Sequence, residues 1–79
     1  MTREEVIAKM ITFAAMAFNA DEAGINEHTN IAEELGIESV KRVAMSASIE
    51  NDFDVMIPVA RFGQYKTIGD LADFVLEEM

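Results

Sequence analysis

Glu34-Leu35-Gly36-Ile37-Glu38-Ser39-Val40 runs straight into Lys41-Arg42-Val43-Ala44-Met45-Ser46-Ala47-Ser48-Ile49-Glu50-Asn51-Asp52, and this join decides the fold. Glycine permits a tight approach of the chain to a helix start. Serine is a favoured residue there, and the residues after it have helical spacing. A helix from about Ser39 to Asp52 is predicted. Ser39 itself has two readings. Its hydroxyl can cap the helix. It can also carry a phosphodiester at little electrostatic cost, because the unpaired N–H groups and the positive end of the dipole favour an added anion. Residues 36 to 39 alone favour the cap, and the rest of the chain has to decide.

The predicted helix is apolar on two sides. Met45, Ile49 and Phe53 follow an i, i+4, i+8 spacing and form a core face. Val40, Val43, Ala44 and Ala47 form a second line. A helix with two apolar sides is either deeply buried or keeps one side for a partner or ligand.

Upstream, Thr2 with Glu5 reads as a capping box. Val6, Met10, Phe13, Ala14 and Phe18 then recur at helical spacing, predicting a first helix over residues 3 to 18. Asn19 can end it in the left-handed conformation. Residues 19 to 38 form a connection longer than usual between helices, which points to function or to local turns. Asn30 with Glu33 can cap one such turn, and Ile25, Ile31 and Leu35 are its expected anchors. Downstream, Pro58 suits the start of a short third helix over about 59 to 64, which Gly63 weakens. Thr67 with Asp70 opens a last helix whose buried face is Ile68, Leu71, Phe74 and Val75. The expectation is one all-α domain over residues 1–79: three main helices, a short third one, and a long loop between helices one and two.

Composition narrows the function. The chain has 79 residues, 51% of them hydrophobic, which suits one small packed domain rather than a disordered acidic tail. Cysteine is absent, so helix packing must supply stability. The formal charge of −9 argues against a nucleic-acid partner, whose phosphates demand Lys and Arg. No stretch approaches a membrane span. Met10 to Phe18 is apolar enough for a signal-peptide core ending at Ala20, but Glu4 and Glu5 spoil the positive segment it needs. A cytoplasmic monomer is the expectation.

Catalytic constellations are missing. His28 is the one histidine, it lies in a polar loop, and no second catalytic signature accompanies it. Ser46 and Ser48 read as small packing residues. Asp21 to Gly24 resembles the start of a calcium loop, but Ala23, Ile25 and Ala32 take ligand places, so no metal site is expected. Glu33-Glu34 and Glu77-Glu78 read as solvated charge.

Motifs along the whole chain resemble the acyl carrier protein family. They are an apolar loop anchor, Ile31; Leu35-Gly36-Ile37-Glu38-Ser39-Val40, where the family shows Leu-Gly-x-Asp-Ser-Leu; Phe53, Ile57 and Pro58, matching Phe-x-x-x-Ile-Pro; and Thr67, Ile68, Asp70 and Leu71 at the last helix. The resemblance implies a non-catalytic carrier. Ser39 would bear 4′-phosphopantetheine, placed there by a phosphopantetheinyl transferase, and the thiol of that arm would hold acyl groups as thioesters. Glu38, Ser39, Val40, Val43 and Ala47 would form the docking face for acyl-loading, condensing and acyl-transferring enzymes. An acyl chain entering beside the second helix would meet Val43, Met45, Ala47, Ile57, Phe62 and Tyr65, although core packing is the simpler reading of each.

One departure bears on pathway. The family's primary fatty acid carriers have an acidic second helix, whereas here Lys41 and Arg42 open it and Ala44 follows. Gly-Ile-Glu-Ser-Val-Lys-Arg-Val looks more like carriers of polyketide and polyunsaturated fatty acid synthases. Two alternatives stay open: a small acidic helical adaptor with no prosthetic group, using the Val40 stripe for docking, and a carrier of aminoacyl groups.

Overall fold

The computed structural model describes residues 1–79. Helix α1 spans Arg3–Phe18. Thr2 Oγ1 accepts from the Glu5 N–H at 3.2 Å, and the Glu5 carboxylate accepts from the Thr2 N–H at 3.0 Å. This reciprocal pair satisfies two donors at the helix start. The bond from the Thr2 backbone also holds the Glu5 carboxyl below its ordinary pKa. Asn19, at φ 54° and ψ 48°, ends the helix in the left-handed region.

Helices α2, α3 and α4 span Ser39–Phe53, Val59–Phe62 and Ile68–Glu78. Thr67 and Asp70 cap α4 in the same reciprocal way as Thr2 and Glu5 cap α1. Helix α2 runs one residue past Asp52 and is closed by Asp54 at φ 58°. Helix α3 is shorter than the spacing suggests. After Phe62 the chain closes into tight turns, with Gln64 N–H on the Arg61 carbonyl at 2.9 Å and Tyr65 N–H on the Phe62 carbonyl at 3.2 Å.

Helix α1 packs against both α2 and α4, and α3 packs on α2. Val6, Met10 and Ala14 of α1 meet Met45 and Ile49 of α2, Phe62 of α3, and Ile68, Leu71 and Val75 of α4 in one buried core. The only strand-like pairing is a single antiparallel bridge between Asn30 and Thr67. The architecture is the helical bundle expected of a carrier protein. No helix is long and apolar enough to cross a membrane.

Local turns organise the long connection. Asp21 caps a 3₁₀ turn over Glu22–Gly24, and Asn30 Oδ1 accepts from Glu33 N–H at 3.0 Å to open a wide π-type turn over Ile31–Leu35. Ile25 and Ile31 are buried, and Leu35 is half-buried against the core. Backbone bonds stitch the connection to α4: Ile31 N–H to the Lys66 carbonyl at 2.8 Å, Ile68 N–H to that of Thr29 at 3.1 Å, and Gly69 N–H to that of Glu27 at 2.8 Å. Arg3 closes the stitch, with Nε on Asp73 at 2.7 Å and Nη1 on Glu27 at 2.8 Å. Hydrogen bonds to Asp73 and then Glu27 raise its pKa, so it stays protonated.

Three expectations need correction. Phe53 is half-buried rather than part of the sealed core. It meets Phe13 edge-on at 6.3 Å between centroids, and Lys9 Nζ sits 5.6 Å from its ring centre. Phe74 is likewise half-buried, against Tyr65. Val43 and Ala47, suggested as lining an interior space, are exposed, because α2 turns that side outward. Met45, Ile57 and Phe62 do face inward, but they lie in closed core, and no pocket opens in the bundle.

Candidate functional site

The approach to α2 is built on Gly36. Its N–H closes the π-type turn on the Ile31 carbonyl at 2.8 Å, and its φ of +140° lies where side chains are strained. A Cβ there would also rest on the Phe18 ring at 3.8 Å. From this turn the chain passes Ile37 and Glu38 and enters the helix at Ser39.

Glu38, not Ser39, occupies the N-cap position, at φ −65° and ψ 123°, and its side chain makes no capping bond. Its carboxylate instead accepts from Lys41 Nζ at 3.2 Å. Ser39 is therefore the first helical residue. The capping reading of its hydroxyl does not hold, because in helical backbone the side chain no longer reaches the N–H groups ahead of it. The other serines of α2 behave differently: Ser46 Oγ donates to the Ile57 carbonyl at 2.7 Å and Ser48 Oγ to that of Ala44 at 3.2 Å. The Ser39 hydroxyl is exposed and has no such partner.

The electrostatics suit an anion at this hydroxyl. The first carbonyl-bound N–H of α2 is that of Arg42, which reaches Glu38 at 3.1 Å, so the N–H groups of Ser39, Val40 and Lys41 have no protein acceptor. No acidic residue lies in the first turn, and Lys41 and Arg42 add positive charge within it. The residues present thus fit a phosphodiester on the Ser39 oxygen.

Around the serine the surface is apolar. Ile37 is 69% exposed, Val40 82% and Val43 50%. Val40, Val43 and Ala47 share one face of α2 by their i, i+3, i+7 spacing, and all three are exposed. The structure thus brings Glu38, Ser39, Val40, Val43 and Ala47 together at the exposed side of α2. One apolar residue of this surface missed in the sequence is Ile37, in the turn that leads into α2. The available signal was an isoleucine standing between Gly36 and a charged residue, in a turn that has no core to fill. His28 is exposed in its loop, and no group of side chains is arranged to hold a metal.

Comparison with known proteins joins these features. Residues 9–75 match the family described as phosphopantetheine attachment site. The chain is 23% identical over 78 residues to an acyl carrier protein of Thermotoga maritima, covering 99% of this chain and 96% of that one. It is 27% identical over 75 residues to an acyl carrier protein of Thermosynechococcus vestitus, covering 95% and 93%. Against an acyl carrier protein of Guillardia theta the identity is 24% over 79 residues, covering 100% and 98%. A carrier bears its prosthetic group on a serine and leaves catalysis to its partners, and this chain belongs to that family, the phosphopantetheine-bearing acyl carrier proteins.

Proposed function

We propose that Ser39 bears the 4′-phosphopantetheine, and that residues 1–79 act as one monomeric carrier domain in the cytoplasm. The observation that carries this reading is the Ser39 hydroxyl itself, exposed, unbonded and set at the first position of α2 among unpaired N–H groups. When bound, the group supplies a thiol on a flexible arm, on which acyl groups are held as thioesters. The chain's own part is to hold the serine oxygen at a fixed address. Gly36 aims the chain into α2, the helix N-terminus accommodates the phosphate charge, and Val40, Val43 and Ala47 offer an apolar landing face.

The pathway we assign is specialised acyl assembly of the polyketide or polyunsaturated fatty acid type rather than housekeeping fatty acid synthesis. Its support is the pair Lys41 and Arg42 at the start of α2, with Ala44 where an acid would extend a negative docking strip.

Intact-mass analysis tests the site. Incubation with coenzyme A and a broad-specificity phosphopantetheinyl transferase should add one phosphopantetheine, and Ser39→Ala should abolish the gain. No gain with several transferases, or a gain that survives Ser39→Ala, overturns the assignment.

A further inference from the structure

Of the six Lys and Arg residues, Arg3, Lys9 and Lys41 each pair with a carboxylate, and Arg42, Arg61 and Lys66 pair with none. Position separates the last three. Arg61 rests on Phe74 of α4, 5.4 Å from the ring centre, and Lys66 lies in the turn before α4. Arg42 alone belongs to the helix that Ser39 begins, three residues on. Residues at that spacing are neighbours on a helix surface, and a long side chain leans back toward the helix N-terminus.

Ser39, Arg42 and Ser46 share one line of α2 by their i, i+3, i+7 spacing. Two contacts fix which way this line faces. Ser46 Oγ donates to the Ile57 carbonyl at 2.7 Å, and the Arg42 guanidinium carbon sits 5.7 Å from the centre of the Phe62 ring. Both partners belong to α3 or the segment leading into it, so the line faces α3. Val40 and Ala47 each stand one residue further on, about 100° round the helix.

The Arg42 guanidinium is held but not satisfied. The residue is half-buried, and its Nε is shut off from solvent without an acceptor. Nη1 lies beside Gly63, 3.3 Å from where a Cβ would stand, and the terminal nitrogens are not enclosed. Lys41, the other cation of the first turn, is already bound to Glu38 at 3.2 Å. A guanidinium in this state suits phosphate oxygens, which it takes through parallel N–H bonds.

We propose that Arg42 holds the phosphate of the group attached at Ser39. It is a positioning residue and takes no part in bond making. The proposal rests on Ser39 as the modified residue. To the unpaired N–H groups that every helix start offers, it adds one directed side-chain contact. Arg42 thereby sets the side of α2 from which the flexible arm departs, the α3 side, and leaves the face of Val40 and Ala47 clear for partners.

The test compares each variant of the full chain with itself before and after loading. Loading uses coenzyme A and a broad-specificity phosphopantetheinyl transferase and is checked by intact mass. The unloaded form of each variant is its own reference, so any cost of the mutation to the fold cancels. Loading should raise the melting temperature of the wild type about 4 °C more than that of Arg42→Gln, the scale of one modest contact in a domain of this size. Arg42→Lys keeps the charge without the fork and should fall between them. Arg61→Gln removes an equally unpaired cation from a like seat and should match the wild type. The phosphorus resonance of the loaded chain should move in Arg42→Gln and stay in Arg61→Gln. If Arg42→Gln proves poorly folded by circular dichroism, the isotope-labelled wild type decides: the Arg42 Nε–H signal should move on loading while that of Arg61 stays. Loading shifts equal in the wild type and Arg42→Gln overturn the proposal, as does an unmoved Arg42 signal. So does an equal loss in Arg42→Gln and Arg61→Gln, which would show a general field of positive charge rather than one contact. An absent or misplaced mass gain in the unmutated chain is a different failure: it overturns the Ser39 assignment, and this proposal with it.

Discussion

Ser46 Oγ donates to the carbonyl of Ile57 at 2.7 Å, a buried bond that ties the middle of α2 to the segment leading into α3. Helix α3 is a single turn and cannot sustain itself, because helix nucleation is unfavourable at that length. It stays in place through Phe62 in the core, the Arg42 contact on that ring, and this hydroxyl.

Ser46→Ala should therefore cost about 1–3 kcal/mol, the range for leaving a buried acceptor without its donor. The loss should show as a lower urea midpoint with an unchanged slope. Amide exchange should accelerate first at Arg61, Gln64 and Tyr65, whose N–H bonds close α3 and the turn after it. Exchange accelerated evenly through α1, with α3 unaffected, would show that Ser46 serves the global core instead.

Gly69 offers a reversal of sign. Replacing a glycine inside an ordinary exposed helix with alanine gains about 1 kcal/mol. Here an added Cβ would stand 3.0 Å from the Glu27 carbonyl oxygen and 3.2 Å from Arg3 Nη2. The Glu27 carbonyl also accepts the Gly69 N–H at 2.8 Å, so that backbone cannot retreat without losing the bond. Gly69→Ala should destabilise by about 1–3 kcal/mol, as overpacking does. A raised melting temperature would contradict this.

The parts of the fold that were legible are those set by neighbours in sequence. Thr2 with Glu5, and Thr67 with Asp70, announce helix starts because each pair needs only a three-residue spacing. Asn19 as a stop and Asn30 as a turn cap are equally local. Gly36 at a positive φ and a helix entry at Ser39 could be read because glycine and helix starts are also local. What could not be read depends on distant partners. Phe53 looks like core until Phe13 and Lys9 are placed beside it at the surface. Gly63 weakens its helix as expected, and α3 ends at Phe62 with Gly63 as its cap, whereas Gly69 is set by Glu27, whose carbonyl oxygen lies 3.0 Å from where a Cβ would stand. Ser39 looks like a cap until Glu38 is seen to take the cap position and Ser39 the first helical one.

The two apolar sides of α2 should separate in experiment. Ile49 is fully buried, so Ile49→Ala should cost about 2–5 kcal/mol in urea melts. Val40 is exposed, so Val40→Ala should stay within about 0.5 kcal/mol of wild type. The same Val40→Ala change should slow modification by the transferase. Equal losses of stability would mean that both sides are core, and the docking role of the Val40 face would fall.

Partner choice follows from the charges at the start of α2. A docking patch evolved to receive an acidic carrier helix is basic, and here it would meet Arg42, with Lys41 offset by Glu38 at 3.2 Å. Like-charge contacts of this kind can cost several kcal/mol. The modified protein should therefore be a poor substrate for the enzymes of ordinary fatty acid synthesis. Lys41→Asp with Arg42→Thr, together with Ala44→Glu on the exposed side, should improve that activity. The gain should be largest at low ionic strength and shrink as salt shortens the range of the interaction, to about 8 Å at physiological strength. Elongation assays with the unmutated and the charge-reversed carrier, each fully loaded, measure this directly. If the unmutated chain already supports elongation as well as a housekeeping carrier, then Lys41 and Arg42 do not discriminate between partners, and the specialised pathway loses its support.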